Sequence, residues 1–148
     1  VNRKKTTATN HLVTRTTADP TQTEIIKRWV AAAAPIANEV VGSVSTDIAR
    51  SPNRDTEGPL ANVIADAQLA ATRDAGNGGA QIAFMNPGGV RADLDFEQIS
   101  GGESPGEVTY GEAFAVQPFG NLLVTMDLTG AQIERLLEQQ AVLARPGG

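Results

Sequence analysis

Cysteine is absent from the 148 residues, which excludes disulfides and thiolate chemistry. The compartment stays open, because exported and internal proteins alike can lack the residue. Histidine occurs once, as His11. A dinuclear phosphoesterase centre or a catalytic zinc draws on several histidines, so no metal hydrolase site is complete within this chain. His11 reads as a surface or strand residue. Aromatics make up only 4%, and each therefore needs a reason. No apolar run approaches the length that spans a bilayer, and no signal-peptide pattern opens the chain. Basic excess is missing too: a net charge of −5 argues against a general nucleic-acid-binding face. The chain opens on Val1 rather than Met, as expected of a processed or excised piece.

What is present is enough apolar residue for a real core, at 41% of the chain. The organising stretch is Phe84-Met85-Asn86-Pro87-Gly88-Gly89-Val90-Arg91. Residues 80–85 are apolar except for Gln81 and read as a strand buried on both faces. Asn-Pro-Gly-Gly ends that strand, its glycines permitting φ > 0 and close approach to bare backbone. Arg91 follows at once. A strand that delivers a Gly-Gly turn and a guanidinium to a sheet edge suits an anion site. A plain Gly-rich turn with a solvated arginine is the competing reading.

The rest of the chain alternates helix and strand. Residues 1–18 read as a linker or leading strand, with a short strand possible over residues 11–16, and residues 19–148 as one domain. Asp19-Pro20 starts a helix, with Asp as cap and Pro at the first position. Its apolar face carries Ile25, Ile26, Trp29, Val30, Ala33 and Ala37, with Trp29 as core anchor. Residues 40–48 read as a β-branched strand. After a loop over residues 50–59, a second helix presents Leu60, Val63, Ile64, Ala67, Ala70 and Ala71. Residues 75–79 stop it. Residues 94–106 read as an acidic surface loop, and 108–116 as a short strand followed by helical turns. Leu122, Val124, Met126 and Leu128 alternate as in a strand. Thr129 caps a last helix carrying Ile133, Leu136 and Leu137. The pattern gives an α/β domain, a layered mixed sheet with helices.

Three loops collect chemistry-bearing residues: Arg50 to Arg54, Asn86 to Arg91, and Pro118 to Asn121. Together they offer arginine forks for phosphate or vicinal hydroxyls, a bare backbone, one ring and one amide. A ring held in a turn stacks on a base, and an amide pairs with a base edge. That set suits a nucleotide or nucleoside, although Phe119 equally suits a plug of the core. No dinucleotide fingerprint, phosphate-loop lysine or serine triad is present.

Glu57-Gly58-Pro59-Leu60-Ala61-Asn62, Asn86-Pro87-Gly88-Gly89-Val90-Arg91, Pro118-Phe119-Gly120-Asn121, Leu128-Thr129-Gly130 and Leu136-Leu137-Glu138-Gln139 occur in that order. Over about residues 40–140 this resembles the C-terminal, substrate-recognition domain of the bacterial and animal 5′-nucleotidases. The resemblance implies a parent in which an N-terminal metallophosphatase domain holds two divalent ions, Zn or Mn, and hydrolyses the phosphate ester. The present domain would then bind the nucleoside and swing it to the metals.

Carried onto this sequence, Arg91 resembles the arginine after Gly-Gly that holds ribose or phosphate, and Arg54 and Arg50 resemble the substrate-binding arginines ahead of the Leu-Ala-Asn helix. Phe119 resembles one of two aromatics that sandwich the base, and Asn121 the amide that reads its edge. Asn86, Gly88 and Gly89 would shape the pocket floor. No catalytic residue and no metal ligand is expected in this chain.

Pro87 departs from the small residue usual in the family but leaves Gly88-Gly89 intact. The family's later Asn-Phe and Gly-Gly-Asp-Gly segment, source of the second aromatic and a carboxylate, is absent. The domain is therefore expected to be truncated at its C-terminus, to bind weakly alone, and to accept a partner chain that completes it. Export from the cytoplasm is implied in the same way. The rival expectations are a non-catalytic nucleotide-binding module and a self-associating module of the same fold.

Overall fold

The computed structural model describes residues 9–12, 17–50 and 57–143. The elements run α1 (Pro20–Ala37), β1 (Val40–Ser43), α2 (Pro59–Thr72), β2 (Glu107–Thr109), α3 (Tyr110–Val116) and α4 (Gly130–Leu143). Two single 3-10 turns, Ala75–Asn77 and Pro87–Gly89, lie between α2 and β2. The fold is α/β, and its sheet is the antiparallel pair β1–β2, with Val40 opposite Thr109 and Ser43 opposite Glu107. A bulge between Val40 and Gly42 bends β1. Ile48 and Leu94 exchange backbone hydrogen bonds of 2.8 and 3.1 Å, holding the two long connections together.

Local chemistry explains where the helices begin. Asp19 accepts a 3.0 Å bond from the Gln22 N–H, and Pro20 fills the first turn of α1. Thr109 and Glu112 form a reciprocal capping box at α3, each side chain accepting the other's backbone N–H. Thr129 and Gln132 do the same at α4.

Leu60, Val90 and Val116 form the buried centre, with Ile48, Ala61, Ile64, Met85, Ala92 and Leu94 packed around it. Val90 belongs to the Gly-Gly-Val-Arg turn, so the core sits directly beneath that turn. The Arg91 N–H donates to Val116 O at 2.8 Å and ties the turn to the end of α3.

Several expectations are corrected. Trp29 is not a core anchor: it is 64% exposed, with the Arg28 guanidinium 5.6 Å above its ring. Ile25, Ile26 and Val30 are exposed beside it, α3 being the main element packed on α1 among the described residues. On α2 the inward stripe is Leu60, Ala61, Ile64, Ala65, Gln68, Leu69 and Thr72, rotated from the expected face so that Val63, Ala67, Ala70 and Ala71 lie outside. Residues 80–85 are irregular and pair with no strand among the described residues, and Ile82 and Phe84 are each 53% exposed. Residues 120–128 are likewise unpaired and exposed throughout. Both runs carry the apolar pattern of strands without being buried by the described residues. His11 and Leu12 are exposed and irregular, and the remainder of the possible strand over residues 11–16 lies outside the described residues.

Candidate functional site

The Asn86–Arg91 segment turns sharply: Pro87 opens a single 3-10 turn in which the Gly89 N–H bonds Asn86 O at 3.0 Å. Neither Gly88 nor Gly89 takes a positive φ, contrary to the role expected of them. Gly89 is needed for close approach instead. A Cβ there would overlap the Met85 methyl and stand 3.3 Å from Asn86 Oδ1. Gly89 is buried and Gly88 exposed, so the turn shows one glycine to the core and one outward.

This turn, the C-terminal end of α3 and the segment after it line an open cavity of about 340 Å³. Asn86, Gly88, Gly89, Phe119 and Asn121 line it, so five of the eight residues singled out from the sequence come together. Gln68 of α2, Gln117 at the end of α3, Phe84 and Met85 complete the polar and aromatic walls. Phe119 is 44% exposed, which places its ring at the wall of the cavity and excludes the role of core plug.

Arg91 and Arg50 stand beside the cavity without lining it. Arg91 Nη1 donates to Gly88 O at 3.2 Å, and Arg50 Nη1 donates to Arg91 O at 3.3 Å. Asp93 fixes the second arginine: its Oδ1 accepts the Arg50 N–H at 2.7 Å and lies 3.8 Å from Nε. Both guanidinium groups are exposed, and two cations thus follow the same turn. Arg54 lies outside the described residues.

Gln68 and Gln117 escaped the sequence reading. Each donates its side-chain amide to the Met85 sulfur, at 3.7 and 3.5 Å. A glutamine at mid-helix carries no sequence signal that it faces a cavity, and only the phase of α2 reveals it. The arrangement offers stacking, amide hydrogen bonding and cationic forks around one concave space. Among the described residues, no three His, Cys, Asp or Glu side chains are grouped to hold a metal.

Comparison with known proteins places these features in a family. Residues 30–147 match the family model described as 5′-nucleotidase, C-terminal domain. The chain is 42% identical over 115 residues to the trifunctional nucleotide phosphoesterase protein YfkN of Bacillus subtilis, covering 76% of this chain and 7% of that protein. It is 31% identical over 122 residues to the endonuclease YhcR of the same organism, covering 82% of this chain and 9% of that one. It is 39% identical over 112 residues to the cell wall protein Lmo0130 of Listeria monocytogenes, covering 71% and 14%. The chain thus spans less than a sixth of each of these relatives. No solved structure matches.

Proposed function

The chain belongs to the 5′-nucleotidase C-terminal domain family, and from that premise we propose that it recognises the nucleotide or nucleoside part of a phosphoesterase substrate. The observation that carries this reading is the cavity of about 340 Å³ in which the Asn86–Gly89 turn, Phe119 and Asn121 meet. Phe119 stacks on the base, a contact worth about 1–3 kcal/mol. Asn121 reads the base edge through its amide. Arg91 and Arg50, beside the turn, supply forks to ribose hydroxyls or phosphate, and Arg54 joins them on the sequence resemblance alone.

In the parent protein, two divalent metal ions in a separate N-terminal metallophosphatase domain would assist attack of water on the phosphate ester. The residues described here bind and orient the substrate and take no part in that step. On this reading the chain alone binds nucleotide without turning it over. An extracytoplasmic location belongs to the same proposal, supported by the likeness to a cell wall protein. So does a partner chain or further segment that completes the domain, supported by the exposed Ile82, Phe84, Leu122 and Val124.

The test is an NMR titration of the isotope-labelled chain with adenosine and AMP. Shifts should cluster at Gly88, Gly89, Arg91, Phe119 and Asn121 and be larger at Arg91 with AMP, and the affinity they report should fall about fivefold or more in Phe119→Ala. No inorganic phosphate should be released from AMP by the chain, read by a colorimetric phosphate assay in a separate sample with Mn²⁺ added. A folded chain that shows no shifts up to several millimolar ligand would sink the proposal.

A further inference from the structure

Met85 sits between two amides from different elements. Gln68 Nε2 of α2 reaches its sulfur at 3.7 Å, and Gln117 Nε2, at the end of α3, reaches it at 3.5 Å. Both glutamines are half-buried and both line the cavity. Among the described residues, each side-chain amide makes only this one hydrogen bond. A thioether is a weak acceptor, so the amides are positioned by a contact that a ligand oxygen or nitrogen easily outcompetes. Each then has one carbonyl oxygen and one or two N–H groups to present.

We propose that Gln68 and Gln117 are specificity-determining residues that read a polar edge of the ligand's heterocycle from the wall formed by Met85. This rests on the nucleoside-pocket reading and goes beyond it, since that reading gives edge recognition to Asn121 alone. The sulfur holds the two amides as neighbours, which matches a base edge carrying a donor beside an acceptor. The surrounding wall is Phe84, Leu122 and Leu123. A heterocycle without polar edge groups keeps its apolar and stacking contacts there but leaves the amides unpaired, the situation in which discrimination is greatest. Gly89 belongs to the same device, because its missing Cβ makes the space that the Met85 methyl occupies.

Two ligands of one shape separate this from mere cavity lining: adenosine, and purine riboside, which lacks the exocyclic amine. The wild-type chain should bind adenosine about tenfold more tightly than purine riboside. In the double variant Gln68→Met/Gln117→Met, similar in length and apolar, that preference should collapse, adenosine losing more affinity than purine riboside. In the wild-type spectrum the Gln68 and Gln117 side-chain amide signals should move further with adenosine than with purine riboside, which keeps the ring-nitrogen acceptors but lacks the amine donor. This second readout holds even if the variant fails to fold.

A preference retained in the folded variant, or amide signals that ignore adenosine, would each overturn the assignment and leave the pocket reading intact, whereas equal affinities in the wild type would overturn it together with the edge role of Asn121. A wild type that binds neither ligand would overturn both.

Discussion

A Cβ built on Gly106 would stand 2.6 Å from Phe96 Cε2 and 2.8 Å from Val44 O, and the backbone there holds φ of +82°. Its N–H and C=O bond Phe96 O and the Val44 N–H, each at 2.7 Å, so the residue cannot move aside. Gly89 differs in kind. Its φ is ordinary, and the atom in the way is the far end of a flexible methionine. Gly106→Ala should therefore cost about 2–4 kcal/mol from left-handed strain and overpacking together. Gly89→Ala should cost only about 1 kcal/mol. Binding should show the reverse order: Gly89→Ala displaces Met85 and weakens adenosine several-fold, while Gly106→Ala, where folded, binds as the wild type does. Denaturant melts and the same titration on both variants decide this. A Gly89→Ala chain with unaltered affinity would detach Met85 from ligand binding.

At the scale of elements, the loop over residues 94–106 is pinned by a carboxylate. Glu103 accepts the Ser100 and Gly101 N–H groups, the latter at 2.7 Å, and is 9% exposed. The Ser100 amide, first among these backbone donors, holds its pKa below the ordinary glutamate range. A carboxyl whose pKa is depressed by folding contributes stability above its unfolded pKa and loses it as pH falls through the folded value. Melting temperature should thus drop as the pH passes below the glutamate range, and Glu103→Gln should be less stable at neutral pH and flatter on acidification. A variant whose pH profile parallels the wild type would show that other carboxylates set the slope.

The same scale shows what was legible in the sequence. The starts of α1 and α4 were readable because the capping by Asp19 and Thr129 is local chemistry, whereas the capping box of Thr109 and Glu112 at α3 emerges only in the structure. The face of α2 was not. Spacing gives a helix its period, but its phase is chosen by whatever packs on it. Ala61, Ala65, Gln68, Leu69 and Thr72 turn inward with Leu60 and Ile64, and Val63 turns out. The phase error hid Gln68. Asn86, Gly88, Gly89, Phe119 and Asn121 were legible because turns punctuate a sequence wherever they fall, and their meeting in one cavity is a fact of the fold.

For the molecule as a whole, the strongest apolar patterns lie outside its core. Residues 80–85 and 122–128 read as strands, yet Ile82, Phe84, Leu122, Val124 and Met126 are exposed. Both segments line a second concave space, of about 440 Å³, bounded by Thr72 of α2 and by Ile133 and Leu136 of α4. Their strand-like composition records a preference for sheet pairing that the described residues leave unmet. Backbone groups without partners exchange with solvent, so hydrogen exchange reads the difference directly. The amides of residues 81–86 and 120–127 donate to no described acceptor, whereas Ile48, Arg91, Leu94 and Tyr110 donate to backbone oxygens at 2.8–3.1 Å. In the isolated chain the first group should exchange within the dead time and the second should be protected. Protection at Ile82, Phe84, Val124 and Met126 that grows with chain concentration would mean that copies of this chain supply each other's missing strand. Protection there at high dilution would mean that the two segments are paired within one chain, contrary to the unpaired arrangement described above.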